Sequence, residues 1–201
     1  MAAMIADYSS LLQPQKLWTR AEILSKPCPV PKVPGVYAWY FQAIPPQVPT
    51  ANCHTYNDLT LLYIGISPKK PPQNGRPPSS HTIYHRLRYH LNGNAKGSTL
   101  RLTLGCLLGT VLGIQLRRVG SGARMTFAHG EHVLNTWLDQ NASITWMQHP
   151  QPWLLEEELI RTLSLPLNLD QNGHHSFHHE LSQLRSNARH LAQVLPVINN
   201  V

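Results

Sequence analysis

The side chains of this sequence that are best suited to chemistry are tyrosines, an arginine, a histidine, carboxylates and an asparagine. They are Tyr37, Tyr63, Arg86, His90, Glu156, Glu157, Glu158 and Asn168. A guanidinium offers forked donors to phosphate oxygens, a carboxylate can bind a hard divalent ion, and phenol and imidazole groups can transfer protons. Taken singly, each residue has an ordinary structural explanation, because tyrosine is common in strands and acidic residues are favoured near helix N-termini.

Two short motifs lie on segments that the sequence predicts to be strands. The first is GVY at residues 35–37 and the second is YIG at residues 63–65. Arg86 and His90 follow, four positions apart, on a predicted helix. This order resembles the GIY-YIG nuclease superfamily, in which the helix after the second motif carries an arginine and often a histidine four positions later.

Two later residues extend the resemblance. Glu156 precedes a leucine and an isoleucine in EEELI, as the metal-binding glutamate of the family commonly does, which favours it over Glu157 and Glu158. Asn168 follows a proline and lies twelve residues beyond Glu156, which is the spacing of the excision-repair branch. The layout is closest to the larger, insertion-bearing members such as GIY-YIG restriction endonucleases.

The resemblance implies a metal-dependent endonuclease that hydrolyses phosphodiester bonds in DNA, in restriction, defence or repair. Its catalytic residues would be Tyr37, Tyr63, Arg86, His90, Glu156 and Asn168. Glu156 would bind one Mg²⁺ or Mn²⁺, and Arg86 would contact a non-bridging phosphate oxygen. Tyr37 would act as general base, with its pKa lowered by the metal and the arginine, and His90 could accept or relay the proton. Asn168 would orient a neighbouring group.

The charge distribution favours a polyanionic partner. The formal net charge is +7, and residues 59–130 contain no acidic residue but hold ten of the 17 basic ones. Such a segment repels itself unless a polyanion is close, and nucleic acid fits best. We therefore predict double-stranded DNA as the partner. The candidate contacts are Lys69, Lys70, Arg76, Arg88, Lys96 and Arg101.

The segments around these residues predict an α+β fold, with a small, mostly antiparallel β-sheet flanked by helices. The predicted strands are 36–42, 60–66, 114–119, 125–127 and 143–148. The predicted helices are 18–24, 81–91, 99–112, 132–139, 153–163 and 178–195. We expect a single domain over residues 1–201, with a GIY-YIG-like core at 33–168, insertions at 67–80 and about 92–150, and terminal extensions at 1–32 and 169–201.

Other features constrain the compartment and the metal chemistry. Three widely spaced cysteines without a CxxC pair argue against a disulfide framework and a thiolate zinc site. The apolar run 102–116 is too short to span a bilayer and no signal peptide is visible, so we predict a cytoplasmic protein without a membrane partner. The histidine-rich run 174–179 is either a zinc site or, as we favour, a surface or substrate-contacting tract.

Three alternatives to a DNA nuclease stay open. The chain could be a nucleic-acid-binding module that keeps the fold without catalysis, or an RNA-directed nuclease. It could also be an interaction protein whose motif matches are coincidental. For a DNA nuclease with one site per chain, cutting both strands would favour a homodimer.

Overall fold

A four-stranded antiparallel β-sheet forms the centre of this computed structural model, which describes residues 8–74 and 79–199. In chain order the elements are α1 (Ser9–Leu12), α2 (Arg20–Leu24), β1 (Gly35–Phe41), β2 (Thr55–Tyr56), β3 (Leu59–Ser67), α3 (Ile83–Asn92), α4 (Thr99–Leu107), α5 (Gly109–Leu112), β4 (Arg117–Val119), β5 (Arg124–Thr126), α6 (Gly130–Asn141), β6 (Ala142–Gln148), α7 (Pro152–Thr162) and α8 (His178–Val194). The sheet has the strand order β2–β3–β1–β6, and β4 pairs with β5 in a separate ribbon. The predicted α+β class is confirmed.

Strand β1 is buried on both faces. It pairs antiparallel with β3 and with β6, and all seven of its residues are buried. Because side chains alternate across a strand, its odd-numbered residues from Tyr37 to Phe41 point into one hydrophobic cluster and its even-numbered residues from Val36 to Tyr40 into another. Helices α3, α4, α6 and α8 contribute to the first cluster, and α1 and α7 to the second. The sheet is therefore the middle layer of three.

Two helices present the chemically important side chains. In α3 the apolar residues Ile83, Leu87 and Leu91 are fully buried, as their spacing of four predicted. Helix α7 begins at Pro152, whose fixed φ suits the first turn, and it buries Leu155 against the sheet. Arg86, just before the buried Leu87, and Glu156, just after the buried Leu155, are partly buried, so each can reach both core and solvent.

The observed elements differ from the prediction in several places. The first of the predicted helices starts at Arg20 because Thr19 caps it, accepting a hydrogen bond from the backbone N–H of Glu22. The segment 99–112 forms two helices, α4 and α5, that meet at Leu108. Strand β6 lies within the predicted insertion at 92–150, yet it pairs along the whole length of β1. No helix in the described residues is long and apolar enough to cross a membrane.

Part of the basic stretch has a structural role. The guanidinium of Arg118 donates to the carbonyl of Ala192 at 3.1 Å and to that of Leu195 at 2.9 Å. Arg117 donates to the carbonyl of Pro196 at 2.9 Å. These cations satisfy carbonyl groups at and just beyond the C-terminus of α8, where the helix dipole favours positive charge.

Candidate active site

A cleft of about 610 Å³ lies beside the N-terminal half of β1 and the C-terminal half of β3. Residues of α3, α4, α7, α8 and the loop after α7 complete its walls. Five of the six residues predicted to be catalytic line it, namely Tyr37, Tyr63, Arg86, Glu156 and Asn168. The sixth, His90, lies behind the first tyrosine, within hydrogen-bonding distance of its hydroxyl.

The ring of Tyr37 lies across a glycine of the neighbouring strand. In the β1–β3 register, Tyr37 stands opposite Gly65. A Cβ atom at residue 65 would lie 2.5 Å from the hydroxyl oxygen of Tyr37 and 2.7 Å from the ring carbon that carries it. The glycine of the second motif therefore makes room for the phenol of the first.

The two phenols are difficult to ionise. Burial raises the pKa of Tyr37 well above its usual range, and the neighbouring Tyr63 raises it further. Arg86 lowers the pKa of Tyr37, in the direction that the sequence predicted, but burial has the larger effect. Burial also raises the pKa of Tyr63, against the lowering effects of Thr99 and Arg86. Either phenol therefore needs additional positive charge before it can serve as a base at neutral pH.

His90 is buried and neutral. Its Nε2 atom lies 2.9 Å from the hydroxyl of Tyr37, and its Nδ1 atom lies 2.6 Å from the hydroxyl of Ser98. Burial, followed by the charges of Arg86 and Arg101, lowers the pKa of His90 well below its usual value. The Ser98 oxygen also accepts a hydrogen bond of 3.1 Å from the backbone N–H of Arg101, as the N-cap of α4. A neutral imidazole has one donor nitrogen and one acceptor nitrogen. One of the two hydroxyls, of Tyr37 or of Ser98, therefore faces an N–H donor and the other faces an acceptor nitrogen.

Arg86 reaches the cleft from α3. One terminal nitrogen of its guanidinium donates to the carbonyl of Gly97 at 2.8 Å. The arginine also lies close enough to both tyrosines to lower their pKa values. A guanidinium has five N–H donors, so the bond to the Gly97 carbonyl and the hydrogen-bonding contact with Tyr37 leave others for an anion in the cleft.

Glu156 is the acidic residue that best fits a metal ligand. Its carboxylate is half-buried in the cleft wall and forms no hydrogen bond or ion pair with any described residue. Burial raises its pKa to about 7, with Lys69 lowering it and Asp170 raising it. Glu157 also lines the cleft but is exposed, and Glu158 does not line it. An unpartnered carboxylate of this kind fits a hard divalent cation that keeps most of its water ligands.

Asn168 holds the second motif in place. Its Oδ1 accepts from the backbone N–H of Ile64 at 3.0 Å, and its Nδ2 donates to the carbonyl of Ile64 at 2.9 Å. The preceding N–H, of Leu167, donates to the carbonyl of Leu62 at 3.1 Å. The loop after α7 thereby covers the edge of β3 beside Tyr63, as the predicted orienting role requires.

The basic residues predicted to bind nucleic acid lie in different surroundings. Lys69 and Lys70 are exposed and line the cleft. Lys96 is exposed outside the cleft lining, whereas Arg88 is directed towards α2, with its guanidinium 3.4 Å from a backbone carbonyl of that helix. Arg76 lies outside the described residues. Among the described members of this set, the two lysines are therefore those that line the same cleft as the predicted catalytic residues.

The structure corrects the prediction for Arg101. Its side chain is buried and forms an ion pair of 2.7 Å with Glu131. It also donates to the side chain of Asn135 at 2.8 Å and to the carbonyl of His90 at 3.1 Å. These bonds join α4, α6 and the end of α3, so the guanidinium is not available to nucleic acid.

Four residues that the sequence did not single out also belong to the site. Asp170 and Arg185 line the cleft, from the loop after Asn168 and from α8, and Trp153 lines it from the start of α7. Ser98 contacts the buried histidine. For Arg185 a sequence signal exists, because it interrupts the apolar stripe of an amphipathic helix.

One histidine of the histidine-rich run 174–179 has a structural role. His175 lies with its Nε2 atom 3.2 Å from the hydroxyl of Ser164, and its Nδ1 accepts from the backbone N–H of Phe177 at 3.1 Å. The ring therefore connects the end of the α7 region to the start of α8. Among residues 8–74 and 79–199, no group of three or more histidine, cysteine or acidic side chains is arranged to hold a metal ion.

Comparison with known families agrees with this geometry. A family model described as the GIY-YIG catalytic domain matches residues 35–187. The match begins at β1 and extends into α8, so it includes every cleft residue described above. No curated protein and no solved structure gives a significant match to the chain.

Proposed function

The chain belongs to the GIY-YIG family, a family of nuclease catalytic domains, and on this premise we propose that it is a metal-dependent endonuclease that hydrolyses phosphodiester bonds in DNA. The observation that carries the proposal is the convergence of Tyr37, Tyr63, Arg86 and Glu156 on one cleft. Hydrolysis of a phosphodiester needs a positioned water, a cation for the non-bridging oxygens and relief of charge on the leaving oxygen. The first two requirements have candidate residues here, and solvent can supply the proton for the leaving oxygen.

Arg86 is the proposed ligand of the scissile phosphate. Its guanidinium is anchored at one nitrogen by the carbonyl of Gly97, so its orientation is fixed before substrate binds. A preorganised fork donor stabilises charge that develops on the phosphate in the transition state. Lys69 and Lys70, on the same cleft, would hold the neighbouring backbone by charge alone.

Glu156 is the proposed ligand of a single Mg²⁺ or Mn²⁺ ion. When bound, such an ion acidifies a coordinated water and acts as a Lewis acid towards phosphate oxygens. The carboxylate must be ionised to bind it, and its pKa of about 7 places that ionisation near neutral pH.

Tyr37 is the proposed proton acceptor, and hydrogen bonding around His90 decides how it works. The Ser98 oxygen accepts from the N–H of Arg101, so its own hydrogen is free to donate to Nδ1 of His90. The Nε2–H of the imidazole then donates to the oxygen of Tyr37. Together with Arg86, this donor stabilises the phenolate form.

In the proposed step, the water oxygen forms a bond to phosphorus as the opposite P–O bond breaks. The proton of the water passes to the phenolate oxygen of Tyr37, and the leaving oxygen takes a proton from solvent. Tyr63, on the neighbouring strand β3, orients the water. Asn168 keeps Tyr63 in position through its two bonds to the next residue, Ile64.

The test is cleavage of supercoiled plasmid, linear duplex, single-stranded DNA and RNA, with Mg²⁺, Mn²⁺ or EDTA. We expect metal-dependent cutting that Glu156→Gln abolishes at every metal concentration. Glu158→Gln removes a charge from the same helix outside the cleft and should leave cutting unchanged. Cutting that survives in Glu156→Gln but not in Glu157→Gln would move the metal ligand to Glu157. Salt-sensitive binding of nucleic acid with no cutting of any substrate would instead indicate a non-catalytic binding module.

The finer assignments belong to the same proposal. We propose double-stranded DNA rather than RNA because of the insertion-bearing layout, and the substrate panel decides between them. A role in restriction or defence predicts discrete bands, whereas a repair enzyme would act on damaged or unusual structures. A homodimer would let two sites cut both strands, which sedimentation on duplex DNA tests. A reducing cytoplasm suits the three free cysteines.

A further inference from the structure

The C-terminal helix α8 carries an arginine at a position where its pattern calls for an apolar side chain. Arg185 lies four residues after the buried Leu181 and three before Ala188, which packs against the core. Residues at this spacing share one face of a helix, so the stem of Arg185 lies on the packed side. Arg189, one turn further on, is exposed.

The guanidinium of Arg185 reaches the cleft and has no partner. Its Nε atom is buried without a hydrogen-bond acceptor, and within residues 8–74 and 79–199 the side chain forms no hydrogen bond or ion pair. Burial, followed by the charge of Arg189, lowers its pKa, and Cys106, Asp170 and Tyr63 act in the opposite direction. A cation withdrawn from water in this way is unfavourable unless an anion reaches it.

The buried Arg101 and the partly buried Arg118 show how such residues are accommodated elsewhere in this protein. Arg101 is surrounded by Glu131, Asn135 and a backbone carbonyl. Arg118 is bonded to two carbonyls at the end of α8. Arg185 differs from both because its open direction is the cleft that also contains Arg86 and Glu156. Its partner is therefore expected to come from solution.

We propose that Arg185 binds a second phosphate of the nucleic-acid backbone, adjacent to the scissile phosphate held by Arg86. This inference rests on the proposed nuclease function and names how the same cleft holds its substrate. Arg86 reaches the cleft from α3 and Arg185 from α8, so two forked donors on separate elements face the same cleft and are available to two phosphates of one backbone. Helix α8 thereby becomes part of the substrate-binding surface rather than an extension of the core.

The experiment measures duplex-DNA affinity in EDTA, so that no cutting occurs, between 50 and 200 mM KCl. The variant is Arg185→Met, which keeps the apolar stem without the charge, and the matched control is Arg189→Ala. We expect Arg185→Met to weaken binding about tenfold and to reduce the slope of log affinity against log salt by about 0.9, the value for one lost phosphate contact. Arg189→Ala should change the affinity less than about twofold.

Urea unfolding separates binding from structure. Because Arg185 has no protein partner, Arg185→Met should unfold at the same urea concentration as the wild type or a higher one. An arginine that served only the fold would give a lower midpoint and no change in salt slope, and that result would overturn the proposal. Equal DNA affinity in Arg185→Met and Arg189→Ala would also overturn it, while leaving the nuclease function intact.

The source of the phosphate is tested with inorganic phosphate by calorimetry. Tight binding of phosphate by the wild type, lost in Arg185→Met without any change in DNA salt slope, would indicate a free-anion site and contradict the backbone assignment. Absence of all nucleic-acid binding by the wild type would overturn the proposed function together with this inference. We expect inorganic phosphate to bind too weakly to compete with DNA at millimolar concentration. The loss of affinity and of salt slope in Arg185→Met should then be seen with DNA.

Discussion

The hydroxyl oxygen of Tyr37 lies 2.9 Å from Nε2 of His90, and both side chains are buried. The histidine is too deeply buried to carry a proton at neutral pH, so it acts through its tautomer rather than its charge. Which nitrogen bears the hydrogen determines whether the imidazole stabilises the phenol or the phenolate. We propose that Ser98, on the far side of the ring, makes that choice by donating its hydroxyl hydrogen to Nδ1.

Replacing Ser98 should alter the pH dependence of cleavage. Ser98→Ala lets the imidazole turn its acceptor nitrogen to Tyr37, which stabilises the phenol and raises its pKa. We expect the rising limb of the kcat profile to move to higher pH, with KM little changed. Ser98→Thr keeps the hydroxyl and should restore the profile. An unchanged profile in Ser98→Ala would rule out this positioning role.

The same substitution also removes a helix cap, so a control is needed. Loss of the Ser98 cap on α4 should cost about 1 kcal/mol of unfolding free energy. Thr19→Ala removes a comparable cap from α2, away from the cleft. It should reduce stability by a similar amount and leave the pH profile where it was.

Gly65→Ala should displace the phenol of Tyr37. The new Cβ would lie 2.5 Å from the hydroxyl oxygen, so the ring must rotate away from His90 and Arg86. We expect kcat to fall at least about tenfold, since small displacements of a catalytic group have effects of this size. Gly173→Ala is the matched control because a Cβ there meets no atom within 4 Å. Equal activity of the two variants would contradict the close approach.

Asn168→Ala should weaken both stability and activity. It leaves the N–H and the carbonyl of Ile64 without their side-chain partners, and each buried unsatisfied group costs about 1–3 kcal/mol. Urea unfolding measures the first effect, and single-turnover cleavage at a temperature where the variant is folded measures the second. Asn187→Ala, which affects only an exposed bond to Gln183, serves as the reference. Similar unfolding free energies for the two variants would show that Asn168 does not hold β3.

The stability of the fold should depend on His90 below neutral pH. Its pKa in the folded protein is far below the unfolded value of about 6.5, so the unfolded chain binds the extra proton first. The contribution is complete above pH 6.5 and declines as the pH falls, by up to about 1.4 kcal/mol per pH unit. His90→Gln should remove this decline. The carboxyl of Glu156, whose pKa is raised to about 7 in the folded protein, should then make the unfolding free energy increase as the pH falls from 7 to 5. The pKa of His175 is also lowered, chiefly by burial, and its contribution should remain.

The parts of the site that could be predicted are those that depend on the order of residues within one strand or helix. Tyr37 and Tyr63 lie on strands whose apolar character is visible in the sequence, and the spacing of Ile83, Leu87 and Leu91 fixes which side of α3 carries Arg86. The resemblance to a family then supplied the pairing of these elements. Fold class and the gathering of the catalytic residues followed from that combination.

The parts that could not be predicted depend on contacts between distant segments. Arg101 and Arg185 look alike in sequence, yet one is enclosed by α6 and the other opens to the cleft. The ion-pair partner of Arg101 is 30 positions away, and nothing local connects them. The number of charges can be counted from the sequence, but which charges are paired depends on tertiary packing. For this reason the basic stretch predicted more nucleic-acid contacts than the structure leaves available, as Arg101 illustrates.

The burial of β1 on both faces links activity to the whole molecule. Its hydrogen bonds can open only if both hydrophobic clusters open, so local fluctuations should not release Tyr37 from its place. We expect backbone amides of β1 to exchange with deuterium only at the rate of global unfolding. Activity and tertiary structure should then disappear together in a denaturant titration. We therefore expect no inactive but folded intermediate, so a cell would control such a protein through its abundance or its access to substrate.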